Sequence, residues 1–254
     1  MARKPVVAMQ MYTLRNECEK DYPGTLREVA KIGYPAVQVS GLHACTARQI
    51  HKAMDDLGLG SAGTHVGLEM LEKDFNAAVD MVKDLGTEWA IVPWLAEGRR
   101  QGAEAWRTLG RIMTETGAKL REVGLRLGYH NHSFEFQKFD GKYGYDILFE
   151  SVDPNLVHNE IDTYWVRHGG ESPVKYLKRF AGHIQVVHFK DMGPGPEKPM
   201  VPVGEGILDW PNIIEACQSG GTEWMCIEQD TCTPLTPLAA AKVSFENCHR
   251  WGLV

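Results

Sequence analysis

Short apolar runs alternate along this chain with longer amphipathic stretches, and the alternation recurs eight times. The short runs are rich in β-branched and aromatic residues and end at Gly, Pro or charged residues, which is typical of strands. They are VVAMQM (6–11), AVQVS (36–40), LGSAGTHV (59–66), WAIVPW (89–94), LRLGYHNH (125–132), LVHNEID (156–162), HIQVVHFK (183–190) and EWMCIEQD (223–230). Each run predicts one buried strand.

Helical spacing of apolar residues between these runs predicts one helix after each strand. Recognisable start and stop signals bound several of them, including Thr46 with Gln49 as a capping box and Gly86 as a stop. The predicted helices cover 25–33, a stretch beginning at Thr46, 73–85, 103–123, 145–151, 173–180, a stretch opened by Asp209 and Pro211, and one from Thr236 to about Arg250.

Eight strand–helix units in 254 residues indicate an α/β fold with a parallel sheet covered on both sides. This length suits closure into a (β/α)8 TIM barrel, and no G-x-G-x-x-G follows the first strand, so a dinucleotide-binding sheet is disfavoured. We expect a single domain over residues 1–254. The Pro/Gly-rich stretch 192–208, after the seventh strand, is interpreted as a lid over the barrel mouth.

Four successive strands, the fifth to the eighth, end in side chains that bind divalent metals: His130, Asp162, His188 and Glu228. Side chains alternate between the two faces of a strand, and one choice of face turns all four into the barrel together. The carboxyl ends of the strands form the mouth where such barrels carry their active sites. A lone histidine is usually a core residue and a lone strand-end aspartate usually a helix cap, but four together favour a metal site. Two imidazoles and two carboxylates suit Mn²⁺ first, or Fe²⁺, Co²⁺ or Zn²⁺.

Several further residues near the strand ends are candidates for contact with a substrate. Glu228, Lys190 and His132 are the predicted catalytic residues: a base, a group that polarises a carbonyl, and a proton shuttle. Lys190 could instead form an ion pair with Asp191 or Glu205. The predicted substrate-binding residues are Tyr12, Arg15, His65, Trp94 and Trp165, with Gln10 and Gln38 as weaker candidates.

Composition narrows the class of partner. The net charge of −6, with no Lys/Arg block, disfavours nucleic acid. No apolar run approaches the length of a membrane span, and the N-terminus MARKPVVAMQ lacks the apolar region of a signal peptide. The six cysteines form no C-x-x-C pair and are interpreted as reduced thiols, so we expect a cytoplasmic protein. A homo-oligomer or a small partner subunit is compatible with the chain.

The segments GYHNHSFEF, EIDTYWV, VVHFKDM, PVGEG and CIEQD, with AMQMYTLRNE and GTHVGLE, resemble the xylose isomerase-like TIM barrels. This superfamily includes sugar phosphate isomerases/epimerases, ketose 3-epimerases, inosose dehydratases, 3-oxo-glycoside-processing enzymes and, more remotely, endonuclease IV. The resemblance extends over nearly the whole chain and implies a metal held by Glu, Asp, His and Glu on strands five to eight. Those positions are His130, Asp162, His188 and Glu228 here.

This chain differs from the family pattern at His130, because the epimerases that it resembles have a glutamate at this position. Since those enzymes use two facing carboxylates, one for each side of the reacting carbon, the change favours a one-base isomerase or lyase. We expect this enzyme to abstract a proton next to a carbonyl of a keto-sugar, keto-inositol or 3-oxo-glycoside, forming an enediolate.

Three different functions compete with this expectation. A two-base sugar 3-epimerase would need Glu135 or Glu160 to replace the missing carboxylate. A non-catalytic or auxiliary barrel subunit of a hetero-oligomer is compatible with the change at His130. Cleavage of damaged DNA, as in endonuclease IV, is disfavoured by the acidic charge.

Overall fold

The computed structural model describes residues 4–254, and its central feature is a closed barrel of eight parallel strands. Each strand pairs with its neighbours in chain order, and the last pairs with the first to close the barrel. The strands are β1 (Val6–Gln10), β2 (Ala36–Val39), β3 (Gly60–His65), β4 (Trp89–Val92), β5 (Arg126–His130), β6 (Val157–Asp162), β7 (Ile184–Phe189) and β8 (Trp224–Ile227). The predicted (β/α)8 TIM barrel is therefore confirmed.

Helices cover the outside of the barrel. They are α1 (Arg15–Ile32), α2 (Ala47–Leu57), α3 (Leu68–Lys73), α4 (Phe75–Asp84), α5 (Ala103–Glu122), α6 (Gly144–Ser151), α7 (Thr163–His168), α8 (Pro173–Arg179), α9 (Trp210–Gly220) and α10 (Pro237–Arg250). The predicted capping box is present, since Thr46 and Gln49 bond each other's backbone N–H groups at the start of α2. In residues 4–254 no helix combines the length and the apolar content needed to cross a membrane.

Two predicted helices were wrong in their bounds. The single helix over 73–85 is two helices, α3 and α4, which meet at Asp74, whose backbone is not helical (φ −143°, ψ 61°). Helix α1 begins well before residue 25, at Arg15, and bends at Asp21 ahead of Pro23. The apolar spacing predicted only the second half of α1, which follows the bend at Asp21.

The apolar core lies mainly between the strands and the helices, where the outward-facing residues of the strands pack. Val187, Phe189 and Ile227 belong to this layer and are completely or almost completely buried. Inside the barrel, a smaller apolar cluster fills the lower part: Ala8, Ala36, Ala62, Trp89, Ile91, Val186 and Cys226. The polar residues above this cluster, toward the carboxyl ends of the strands, form the site described next.

The stretch 192–208, interpreted from sequence as a lid, is tied down in the structure. Asp191–Met192 and Met200–Val201 form a short antiparallel hairpin. The buried carboxylate of Asp191 accepts hydrogen bonds from the backbone of Gly204, Gly206 and Leu208 and from the indole of Trp210. Because one carboxylate holds both ends of the loop, the structure gives no support to a freely moving lid.

Candidate active site

Four strand ends bring the predicted metal-binding side chains together at the barrel mouth. One ligand atom from each of His130, Asp162, His188 and Glu228 lies within 4.8 Å of the others, and all four residues are buried. The strand register explains this, since His188 on β7 is paired with Asp162 on β6 and with Cys226 on β8. The donor set fits a divalent metal of the first transition series.

Asp162 caps a helix with one carboxyl oxygen and turns the other toward the cluster. Its Oδ1 accepts the backbone N–H of Trp165 at 2.8 Å and so caps α7. Its Oδ2 is buried and has no hydrogen bond within residues 4–254, its cationic neighbour being Lys190 Nζ at 3.2 Å. Burial raises the pKa of Asp162 to about 7, even though Lys190 and His188 oppose this. A buried carboxyl oxygen left without a hydrogen bond is a reason to expect a further partner, such as a cation, at this position.

Lys190 is almost completely buried, and its ammonium group contacts three carboxylates. Nζ lies 2.9 Å from Glu228, 3.2 Å from Asp162 and 2.8 Å from Asp230. Burial would lower its pKa, but these carboxylates hold the pKa of Lys190 well above its usual range. The ion pair with Asp191 or Glu205 that the sequence left open was wrong, since Asp191 instead binds the loop that follows β7.

The two histidines of the metal set differ in charge. Although burial opposes ionisation, the carboxylates of Glu160 and Glu228 raise the pKa of His188 to about 10. Burial, reinforced by the neighbouring positive charge of His188, lowers the pKa of His130 to about 3. Four acidic side chains (Glu160, Asp162, Glu228 and Asp230) thus lie close to two cations, Lys190 and His188. A site so rich in acidic groups favours a divalent cation, which would replace the proton that burial favours on Asp162.

A cavity of about 260 Å³ opens above this cluster. It is lined by Tyr12, Ser40, His65, Pro93, Trp94, His130, His132, Lys190, Glu228 and Asp230. Trp94 and Tyr12 are 52% and 42% exposed, so their rings form open aromatic surfaces at the rim. The cavity therefore offers charged groups at its floor and apolar ring faces at its edge, an arrangement that suits a polyhydroxylated ring.

The remaining predicted residues lie around this cavity in different ways. His132 borders it, and burial lowers its pKa to about 2, so the imidazole is neutral. Trp165 stands behind His132, with ring centroids 5.3 Å apart, and is not among the lining residues. Arg15 donates to the backbone oxygens of Tyr12 and Asp230 and stacks on the Tyr12 ring, so it braces the rim.

Sequence reasoning gave too little weight to Asp230 and Glu160. Asp230 lines the cavity and contacts Lys190, and its signal was its shared face with Glu228. Glu160 lies below the metal set, 1% exposed, and contacts His65, His130 and His188. Burial would raise its pKa, but the His188 charge and the three histidine contacts hold the pKa of Glu160 well below its usual range.

Glu135, the second glutamate considered as a replacement for the carboxylate missing at His130, does not reach the cavity. The hydroxyl of Tyr129 and the backbone N–H of His132 both donate hydrogen bonds to its carboxyl group. Glu135 is therefore a structural residue beside the site.

Comparisons with known proteins agree with this architecture. The family "Xylose isomerase-like TIM barrel" matches residues 26–246, so the chain belongs to that family. An inosose dehydratase of Geobacillus kaustophilus is 29% identical over 189 residues, which are 66% of this chain and 61% of that protein. The chain thus spans less than two thirds of that relative.

Solved structures with the same fold have lower sequence identity. A sugar phosphate isomerase/epimerase from Parabacteroides distasonis superposes with a TM-score of 0.86 at 22% identity, covering 99% of this chain and 96% of that one. The IolI protein, described with a bound zinc atom, superposes with a TM-score of 0.75 at 14% identity, over 96% and 97% of the two chains. At these identities the likeness establishes the fold alone.

Proposed function

We propose that this protein is a divalent-metal-dependent isomerase or lyase acting on a keto-sugar, keto-inositol or 3-oxo-glycoside. The reaction is abstraction of a proton next to a carbonyl, with an enediolate intermediate. The observation that carries the proposal is the convergence of His130, Asp162, His188 and Glu228 beside Lys190 at the floor of the cavity. The inosose dehydratase relative supports a cyclitol or sugar as substrate class.

His130, Asp162, His188 and Glu228 would hold the metal, with manganese as our first choice and iron, cobalt or zinc as further candidates. The chemistry that a divalent metal would supply here is polarisation of the substrate carbonyl and neutralisation of developing negative charge. The remaining steps fall to side chains of the cavity.

The proton acceptor is a carboxylate beside Lys190. Glu228 is our principal candidate, because it borders the cavity and is ionised: burial would raise its pKa, but Lys190 and His188 hold the pKa well below its usual range. Asp230 is the second candidate, because burial and the Glu228 charge raise its pKa toward the range of an efficient base. Lys190 contacts both carboxylates and can stabilise negative charge on the substrate.

Neutral His132 and the aromatic rim would bind and orient the substrate. A neutral imidazole can donate one hydrogen bond and accept another, which suits a hydroxyl group or proton transfer to a leaving oxygen. Tyr12, Trp94 and His65 border the cavity and can contact a sugar ring. We propose Trp165 and Arg15 as supports for these contacts, since neither lines the cavity directly.

A two-carboxylate 3-epimerase has less support. It needs a second carboxylate on the opposite side of the reacting carbon, but Glu160 lies beneath the histidines and Glu135 is bound elsewhere. An auxiliary, non-catalytic barrel also has less support, because the four ligand side chains are present and close together.

The test is exchange of substrate protons with solvent deuterium, measured by NMR. The substrates are inososes, keto-sugars and 3-oxo-glycosides. With metal-loaded wild-type protein, the substrate should take up deuterium at the carbon beside its carbonyl. With protein whose metal has been removed by a chelator, it should not. Glu228→Gln should slow exchange by about 10²-fold or more, because it removes both the proposed general base and a proposed metal ligand. If Asp230→Asn has the larger effect, Asp230 is the base. The surface variant Glu28→Gln serves as the control, and absence of exchange across the whole panel would falsify the proposal.

A further inference from the structure

Two overlapping sets of metal-binding side chains share His130 and His188. The outer set adds Asp162 and Glu228, and the inner set adds His65 and Glu160; in both, the ligand atoms lie within 4.8 Å of one another. The two sets use opposite nitrogens of the shared histidines. His188 Nδ1 is 2.7 Å from Glu228, whereas its Nε2 is 3.2 Å from Glu160. His130 Nε2 faces Asp162 at 3.9 Å, and its Nδ1 faces Glu160 at 3.1 Å.

Gln38 decides which nitrogen of His188 would bind a metal. The Gln38 amide nitrogen donates to Glu160 Oε1 at 2.6 Å, and a carboxylate can only accept, so the amide oxygen must point the other way. That oxygen accepts from the side-chain nitrogen of Gln10 and lies 2.6 Å from His188 Nε2. An amide oxygen cannot donate, so His188 Nε2 must carry the hydrogen. A nitrogen that carries hydrogen has no lone pair for a metal. Because the hydrogen of Nε2 is held by Gln38, Nδ1, on the side of Glu228, is the nitrogen that would give up its hydrogen to a metal.

We propose that Glu160 is a positioning residue beneath the metal and not one of its ligands, an inference that rests on the proposed function. Its Oε2 accepts a hydrogen bond from His65 Nε2 at 3.0 Å and faces the inner nitrogens of His130 and His188. The outer nitrogens of both histidines are thereby turned toward Asp162 and Glu228. Glu160 thus orients both imidazole ligands of the outer set, His130 by facing its Nδ1 and His188 through the amide group of Gln38.

This arrangement also compensates for the histidine on β5. A histidine at position 130 in place of a carboxylate makes the ligand set less negative, which weakens its attraction for a divalent cation. Glu160 returns one negative charge directly behind the two histidines. A carboxylate that accepts from the second nitrogen of a ligating histidine fixes its tautomer and increases its basicity, and its loss typically costs about 10–100-fold in metal affinity.

The test is metal titration of the full chain with Co²⁺, whose visible spectrum reports the ligands, and with Mn²⁺ followed by EPR. Wild-type protein should bind one ion per chain. Glu160→Gln should bind about 10–100-fold more weakly with the Co²⁺ spectrum of the wild type, because the ligands are unchanged. Asp162→Asn and Glu228→Gln should alter that spectrum or abolish binding. Glu135→Gln, a matched change of another fully buried glutamate, should bind as the wild type does.

If Glu160→Gln fails to fold, His65→Gln can be used to test whether the inner set binds the metal. His65 belongs only to the inner set. We expect it to retain the wild-type Co²⁺ spectrum. Loss of binding in Glu160→Gln and His65→Gln, with Asp162→Asn unaffected, would place the metal in the inner set and overturn the inference. Wild-type affinity in Glu160→Gln would also overturn it, while leaving the proposed function intact. Absence of metal binding by the wild type would overturn both.

Discussion

Glu135 is a fully buried carboxyl group at the end of β5, bound by the Tyr129 hydroxyl and the backbone N–H of His132. Burial raises its pKa to about 8, although both hydrogen bonds oppose this. The folded protein therefore holds this proton more tightly than the unfolded chain does. The stabilisation from this group is complete below the unfolded pKa of 4.5 and is lost as the pH rises through about 8.

Glu135→Gln replaces the carboxyl group with a neutral isostere that does not titrate. Because only the wild type loses this stabilisation as the pH rises, the difference in unfolding free energy, variant minus wild type, should increase between about pH 6 and pH 9. We expect an increase of about 3 kcal/mol at most. Urea unfolding of both proteins at a series of pH values measures the difference. A difference that stays constant over this range would show that Glu135 does not titrate there.

At the residue scale, strand parity predicted which side chains meet but not how deep each lies. His130 and Asp162 end their strands, and His188 and Glu228 lie within one residue of the ends of theirs, so alternation alone places the four together at the mouth. Glu160 shares the face of Asp162, but its depth depends on how the strands tilt and stagger in the closed barrel. The same holds for Gln38 on β2, whose importance comes from a partner 122 residues later in the chain.

At the scale of a single element, a bulge in β3 turns His65 into the barrel. Ala62 belongs to the apolar cluster inside the barrel, and strict alternation would then turn His65 outward. The pairing with β2 shifts between Val37 and Val39, and Gly63 has a φ of +117° in the same segment. The extra residue restores the inward direction two positions later, so that His65 reaches Glu160.

Gly63→Ala should therefore lower the free energy of unfolding. A Cβ at this position would lie 2.9 Å from the Cβ of Trp89, and the positive φ adds strain. We expect a loss of about 2–4 kcal/mol in unfolding free energy, the sum of a left-handed backbone cost and overpacking. Gly58→Ala is the matched control, with a φ of +68° and no atom within 4 Å of the added Cβ, and should lose only about 1–2 kcal/mol. Chemical denaturation measures both, and equal losses would argue against a packing role for Gly63.

Elements with clear end signals were predicted well, and those shaped by tertiary contacts were not. The capping residues Thr46, Asp209 and Thr236 start α2, α9 and α10 as the sequence indicated. Helix α7 was missed, because its six residues directly follow β6 and leave no room for a separate apolar period. Asp162, which ends the strand and caps the helix, is the signal that would have found it.

At the scale of the whole molecule, the barrel interior is divided into an apolar lower part and a charged upper part. Small residues such as Ala8, Ala36 and Ala62 leave space that Trp89 and Ile91 fill, so apolar side chains pack below the site. The charged groups above must balance one another, since buried charges are costly when unpaired. Repulsion among the carboxylates at the mouth is relieved only partly by Lys190 and His188.

A divalent metal should therefore stabilise the entire fold. Binding to the folded state alone adds about 2.7 kcal/mol when the free metal is at about a hundred times its Kd. For a chain of this size that corresponds to a rise in Tm of roughly 5–10 °C. Calorimetry of chelated protein with and without Mn²⁺ measures the shift, which Ca²⁺ should not reproduce, because two imidazoles suit it poorly. Asp162→Asn should remove most of the Mn²⁺ shift by removing a ligand charge. An equal shift in that variant would mean that the stabilising ion binds elsewhere on the acidic surface and that the barrel mouth tolerates its charge excess without a metal.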